Sequence, residues 1–350
     1  MLLKKIILQN FRTYKKREVP IDPQLTIIVG PNASGKTNIL ESIYGLSVGK
    51  SFRASHEEEV ISWEEEIARV KGFIEDDELE LVMTHGTLGG TTIPRKKFMV
   101  NGVSRRLIDF AGRLPAVLFW PEDLSLVIGS PSGRREYMNR VLIQSDREYR
   151  RNLYQFEKGL RQRNKLLFFI HEGKAERKEL AYWNSILIAS GQYITAAREA
   201  FLTFLNTFPL LPFQFEVSYD KSIISIERLE QYKDEEIGAK TTLVGPHRDD
   251  VIFLKDFGGE KRELGSYASR GEQRLGVLWC KLGEVAFLER AIHKKPMLLL
   301  DDIFSELDPG HQTFILSLIE QYQTVMTFAD PDILPRIPDS LKRSYIELGV

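Results

Sequence analysis

The 350-residue chain predicts an α/β phosphate-loop fold interrupted by an inserted, mainly helical second lobe. Three observations carry that expectation. The apolar run LTIIV at 25–29 leads directly into GPNASGKT at 30–37 and then into a helical pattern from Lys36 to Leu46. Two more short apolar runs, in KPMLLLDD and QTVMTFAD, stand near the other end of the chain and read as buried strands. Between them, from about Arg134 to Leu205, charged and apolar residues alternate at long period with no proline between Pro131 and Pro209. The phosphate-loop sequence and its expected partner strands are thus far apart. The helical block must be an insertion, and the two lobes are discontinuous: 1–115 with 290–350, and 116–289.

Length and composition agree, because 350 residues exceed a typical domain of ~100–200 and the 43% apolar content supports real cores. MLLKKIILQNF lacks the long apolar stretch and cleavage site of a signal peptide, and no run approaches the ~18 apolar residues of a membrane span. The one cysteine, Cys280, rules out an internal disulfide framework and suits a reducing cytoplasm; its plain reading is a buried helix residue. KKFMVNGVSRR at 96–106 carries Asn101-Gly102 between apolar residues, a hairpin signal. Strand-like sequence returns at 213–226 and 242–254 and is followed by one strong helix. There is no internal repeat, low-complexity linker or heptad run long enough for a coiled coil.

A net charge of −1 argues against a uniformly basic nucleic-acid binder, but the charge is unevenly laid out. Residues 57–80 hold 11 carboxylates against Arg69 and Lys71, whereas residues 134–178 hold 13 Lys/Arg against 6 Asp/Glu, interleaved with aromatics. Solvated surface explains both runs when each is taken alone.

Gly30, Gly35, Lys36 and Thr37 match G-x-x-x-x-G-K-[ST] in the strand-to-helix context that the motif requires. In such a loop, Gly30, Pro31, Asn32, Ala33, Ser34 and Gly35 wrap phosphate, with backbone N–H groups from all but Pro31, and the helix start at Lys36, Thr37 and Asn38 adds positive potential. Lys36 reaches the β/γ oxygens and Thr37 can ligate Mg²⁺. A carboxylate must complete the metal site from the end of a neighbouring buried strand, and MLLLDD at 297–302 supplies Asp301. Asp302 follows where a general base would polarise water.

These residues alone fit many nucleotide enzymes, a small-molecule kinase included. YASRGEQRLGVLWCKLGEVAFL at 267–288 argues against that, because Ser269, Gly271 and Gln273 form an S-x-G-x-Q turn opening an amphipathic helix some 25 residues before LLLDD. With SELD at 305–308, this order is similar to the ABC-type ATPase head. In that architecture the signature serine of one subunit closes over the γ-phosphate held by the other.

NFRTY (10–14), GPNASGKTNILESIY (30–44), WPEDLSLVIGSPSGRREYMNR (120–140), LVGPHRDDVIF (243–253), SRGEQ and LLLDDIFSELD then resemble the bacterial RecF family over nearly the whole chain. The resemblance implies a cytoplasmic, nucleoid-associated ATPase of the SMC type without a long coiled coil. It implies an ATP- and Mg²⁺-dependent homodimer that binds single- and double-stranded DNA, gaps and junctions, and helps RecO and RecR load recombinase. Lys36, Asp301 and Asp302 would be catalytic, with Thr37 and Asp301 on the metal. Ser269 and Gly271 would act in trans, Gln273 of the same turn would be a further nucleotide-site residue, Asp308 would lie on the loop crossing the dimer seam, and Arg12 would be a nucleotide contact. Arg150, Arg151 and Arg161 are candidate DNA contacts within the basic stretch. The turn from His247 to Asp250 is distinctive of the family, and a polar turn network accounts for it as well.

Two departures from the wider ABC pattern follow. Phe328, Ala329 and Asp330 stand where a switch histidine is expected, and PED at 121–123 stands where a glutamine loop is expected. Asp302 is also one methylene shorter than the usual glutamate, so slow hydrolysis is expected, with ATP acting as a timer on the dimer. A transporter ATPase subunit would normally carry the missing glutamine and histidine, and a kinase would need neither Ser269 nor a seam.

Overall fold

The computed structural model describes residues 2–208, 215–305, 309–329 and 342–349. The chain forms two compact units, 1–123 with 288–350, and 124–287. The strand Ala116–Phe119, which the sequence reading assigns to the second lobe, belongs to the first, because it pairs in parallel with Met297–Asp301. Asp308 and Asp330 lie outside the described residues.

In the first unit a five-stranded parallel sheet has the order Ala116–Phe119, Met297–Asp301, Thr324–Phe328, Leu25–Val29, Arg343–Glu347. The central three, Met297–Asp301, Thr324–Phe328 and Leu25–Val29, are short, mostly apolar and almost wholly buried, as strands covered on both faces require. An antiparallel six-stranded sheet includes Leu3–Phe11, Tyr14–Pro20, Ile67–Ile74 and Asp77–Thr84. Within it Ile67–Ile74 alternates, burying every second residue. The helix Lys36–Val48 is buried nearly all round, with only Thr37 among its 13 residues not largely buried. It joins one core with side chains of both sheets, including Leu8, Val70, Leu118 and Leu299. The hairpin expected at Asn101-Gly102 is present: both residues take positive φ, 51° and 74°, and join Lys96–Val100 to Val103–Arg105.

Several carboxylates of the acidic stretch 57–80 are paired, Glu57 with Lys96, Glu58 with Arg95, Glu78 with Lys71, and Glu80 with Arg69. The last two are cross-strand pairs, so neutralisation within the fold accounts for part of a run that reads in sequence as solvated charge.

The second unit is built on the helices Pro131–Ser145, Arg147–His171 and Leu180–Thr207. The last two are antiparallel, since Tyr149 meets Arg198 and Arg163 meets Asn184. Gly159 lets Leu187 approach to a distance that a Cβ would make tight. A three-stranded antiparallel sheet, Phe215–Asp220, Asp250–Asp256 and Lys261–Glu263, precedes the helix Arg270–Ile292. Residues 221–226 and 242–249 are not strand. Ser225 caps the helix Ile226–Gln231 through Arg228 N–H, and Gly245 takes φ 125° ahead of the 246–248 turn. Cys280 is fully buried, its Sγ 3.2 Å from the Tyr137 hydroxyl.

Candidate nucleotide site

The loop 30–35 leaves the parallel sheet at the end of Leu25–Val29 and enters the helix at Lys36. Its glycines are there for space and conformation. A Cβ on Gly30 would stand 2.6 Å from the Leu348 carbonyl, and one on Gly35, at φ 96°, would stand 2.7 Å from the Tyr14 hydroxyl. Lys36 folds back so that Nζ donates to the carbonyls of Gly30 at 2.7 Å and Pro31 at 2.8 Å. Burial lowers its pKa, opposed by Asp302 and then Asp301, so the ammonium is held beside two carboxylates. Ser34 Oγ is buried without a hydrogen-bond partner among the described residues. A phosphate oxygen would satisfy such an orphan hydroxyl.

Thr37 Oγ1 donates to Asp301 Oδ1 at 3.0 Å, and Thr327 Oγ1 donates to the same oxygen at 2.7 Å. A threonine hydroxyl beside a carboxylate is an all-oxygen donor set of the kind Mg²⁺ takes. When bound there, Mg²⁺ would neutralise charge on phosphate oxygens, with Thr37 and Asp301 as the residues to hold it. Asp302 takes φ 49°, and its N–H donates to Thr327 Oγ1 at 3.1 Å.

A cleft of about 560 Å³ unites these groups. Arg12, Asn32, Lys36, Thr37, Asp301 and Asp302 line it, and so do residues the sequence reading did not single out, Arg53, Trp63 and Trp120 among them. Trp63 is 95% exposed, an unusual state for an indole unless something covers it. Glu122, in the position expected for a glutamine loop, also lines the cleft.

Arg12 borders the cleft but is engaged by the protein. Its Nε and one terminal nitrogen hold both oxygens of Glu41, at 2.9 and 2.5 Å, and the other donates to the Glu59 carbonyl at 2.7 Å. The rest of NFRTY braces the loop: Tyr14 donates to the Gly35 carbonyl at 3.2 Å, and Thr13 accepts from Asn38 at 3.1 Å. Single residues in a β-turn give no signal of this kind in a sequence.

In the second unit Ser269 and Gly271 are exposed at the start of the helix Arg270–Ile292, while Gln273 is buried. Gln273 Nε2 donates to the Gly265 carbonyl at 3.0 Å, anchoring the turn. Ser269 and Glu272 bond reciprocally, and Lys255 together with the Ser269 N–H and hydroxyl holds the Glu272 carboxyl down to about 2. The turn from Gly245 to Asp250 receives a structural role. Asp249 is fully buried and accepts from Arg198 at 2.9 Å, from Ser222 N–H at 2.8 Å and from Tyr219. Arg134 grips Asp250 with two bonds, at 2.7 and 2.9 Å.

Of the candidate DNA contacts, Arg151 and Arg161 are exposed. Arg150 is a correction: it is half-buried and donates to the Ile143 carbonyl, tying its helix to the preceding one. Arg134, Arg135 and Arg163, in the same basic stretch, are likewise taken up by Asp250, the Asp249 carbonyl and Glu236. Much of the basic excess is therefore structural.

A phosphate loop and an aspartate-ended strand on a parallel sheet backed by an antiparallel one, with a serine-led helix starting in the second unit, define an ABC-type ATPase head. The chain belongs to the RecF family: residues 2–329 match the family described as RecF/RecN/SMC N terminal domain. It is 36% identical to the DNA replication and repair protein RecF of Moorella thermoacetica, covering 95% of this chain and 91% of that one. It is also 36% identical to the protein of that name from Ligilactobacillus salivarius, over 93% and 90%. Among solved structures it is similar to the recombination mediator protein RecF-ATPrS in the RecFOR pathway, with TM-score 0.85 and 29% identity over 99% and 96% of the two chains. The Smc head domain of Pyrococcus furiosus shares the fold at TM-score 0.51 and 17% identity, over 99% and 93%. Among the described residues no helix is long and apolar enough to cross a membrane.

Proposed function

We propose that two copies of this chain close on ATP and Mg²⁺ and that the closed dimer binds DNA, at gaps and single/double-strand junctions, in recombinational repair. Lys36 grips the phosphates, Thr37 and Asp301 hold the metal, and Asp302 positions water. Ser269 and Gly271 of the second copy cap the γ-phosphate, with Asp308 at the seam. In this role the protein works with RecO and RecR to load recombinase, and slow, DNA-stimulated hydrolysis resets the clamp.

One observation carries the reading. A Cβ on Gly271 would meet nothing within 4 Å, so the protein's own packing does not require glycine there. Beside it, Ser269 is exposed at the N-terminal end of a 23-residue helix. A solvent-facing, serine-led helix start is suited to a triphosphate brought by another molecule.

The test is DNA affinity measured with and without a non-hydrolysable ATP analogue, together with the turnover rate. Nucleotide-strengthened binding to gapped DNA and a turnover well below the ~10 s⁻¹ typical of enzymes support the proposal. DNA binding indifferent to nucleotide, or fast hydrolysis by the isolated protein, would refute it.

A further inference from the structure

The helix Arg147–His171 has two opposed faces. Tyr149, Phe156, Gly159, Arg163 and Leu167 are buried. On the other side Arg151, Tyr154, Lys158, Arg161, Lys165 and Phe168 are all exposed, at alternating spacings of three and four residues. That spacing keeps them on one stripe, since residues three and four apart on a helix are neighbours. From Arg151 to Phe168 the stripe runs ~26 Å at 1.5 Å per residue.

Its six residues are four cations and two aromatic rings, with the exposed Glu157 at its border. Lys158 and Arg161 have no ion-pair partner among the described residues, and Lys165 stands over the Phe169 ring at 5.7 Å. Arg151 has one loose pairing, with Glu148 at 3.6 Å. Tyr154 and Phe168 are 58% and 43% exposed, each leaving much of a ring in water, and Phe168 meets Phe169 edge to face at 5.8 Å. Lys240 stands 5.2 Å from the centroid of Phe168 and pairs with Glu172 at 3.7 Å, so that end of the stripe is charge-balanced.

We infer that this stripe is a track for single-stranded nucleic acid, with Arg151, Lys158, Arg161 and Lys165 along the phosphates and Tyr154 and Phe168 as platforms for unstacked bases. Regularly spaced cations alone would suit any linear polyanion. Rings set between and beyond them favour a strand whose bases are free to stack. The inference rests on the DNA-binding reading above and assigns it a specific surface and strand type.

The experiment is fluorescence anisotropy of labelled oligothymidylate and of a labelled duplex, with wild type, Lys158→Glu/Arg161→Glu, and Tyr154→Ala, in the absence of nucleotide. Nucleotide affinity of each variant checks the fold. The double reversal should weaken oligothymidylate binding at least about tenfold and flatten its log–log salt dependence by about 1.4, or ~0.7 for each lost phosphate contact. Tyr154→Ala should weaken oligothymidylate about fivefold or more while sparing the duplex. If wild type binds DNA and the variants match it, the track is refuted and the DNA-binding reading survives. An equal loss on duplex, with Tyr154→Ala silent, would overturn the single-strand assignment. A wild type that binds neither nucleic acid without nucleotide would overturn the track, and one that still binds neither with a non-hydrolysable ATP analogue present would overturn the DNA-binding reading as well.

Discussion

Thr37 and Asp301 stand 264 residues apart in the chain, yet the threonine hydroxyl donates to the carboxylate at 3.0 Å. Their strands do not touch: Thr324–Phe328 lies between Leu25–Val29 and Met297–Asp301, pairing in parallel with both. The contact spans the carboxyl ends of the strands, where open α/β sheets bind ligands, and Thr327 of the middle strand braces the same oxygen.

From this contact, Asp301→Asn should lower ATP turnover on the order of 10²-fold while leaving metal-free nucleotide binding near wild type. Steady-state turnover and equilibrium binding in EDTA check it. Equal losses in both would mean that the residue supports the loop rather than the metal.

Trp63 should report directly on the cleft it lines. ATP should change tryptophan emission in wild type and do so much less in Trp63→Phe, whose smaller ring still offers a stacking face. Trp63→Ala should bind ATP about three- to tenfold more weakly. Unchanged affinity in the alanine variant would show that the exposed indole serves something else.

Arg12 and Glu41 form a pair whose carboxylate is fully buried on the helix that follows the phosphate loop. Glu41→Ala leaves the guanidinium and the Ser51 hydroxyl without that acceptor, and should cost about 3–5 kcal/mol. Urea unfolding of the two proteins measures it. Little change would mean that water replaces the carboxylate readily.

The turn at His247 predicts a pH dependence. Burial, with Arg248 and other nearby cations, pushes the imidazole down to about 4, although its Nε2–H donates to the Thr242 carbonyl at 3.0 Å. Its Nδ1 is buried without a hydrogen-bond partner among the described residues. The folded state thus binds the proton less readily than the unfolded chain, where histidine titrates near ~6.5. Stability from this residue is complete above that pH and falls as pH drops toward 4, by up to roughly 3 kcal/mol. His247→Gln should flatten the profile between pH 4 and 6.5, as thermal melts across that range would reveal.

Local patterns were the legible part of the molecule. The strand, glycine loop and helix over 25–48 declare themselves in one stretch, as does the Asn101-Gly102 hairpin. Asp301 was legible because an apolar run ending in aspartate is a local signal as well. What stayed hidden depends on distant partners. Arg12 reads as a free cation until Glu41 is folded against it, and Arg150 reads as surface until the Ile143 carbonyl meets it. The turn 245–250 reads as polar loop, whereas Asp249 is the buried hub joining the helix Leu180–Thr207 to the strand Phe215–Asp220. The strand-like reading of 242–249 failed for the same reason: side-chain acceptors and Gly245 take the backbone out of the ladder.

The account turns on the trans role of Ser269, and molecular mass in solution tests it most directly. With a non-hydrolysable ATP analogue at saturation, wild type should sediment at twice its nucleotide-free mass, while Ser269→Arg should remain a monomer with nucleotide bound. A wild-type chain that stays monomeric when saturated, or a Ser269→Arg chain that still doubles its mass, would contradict it.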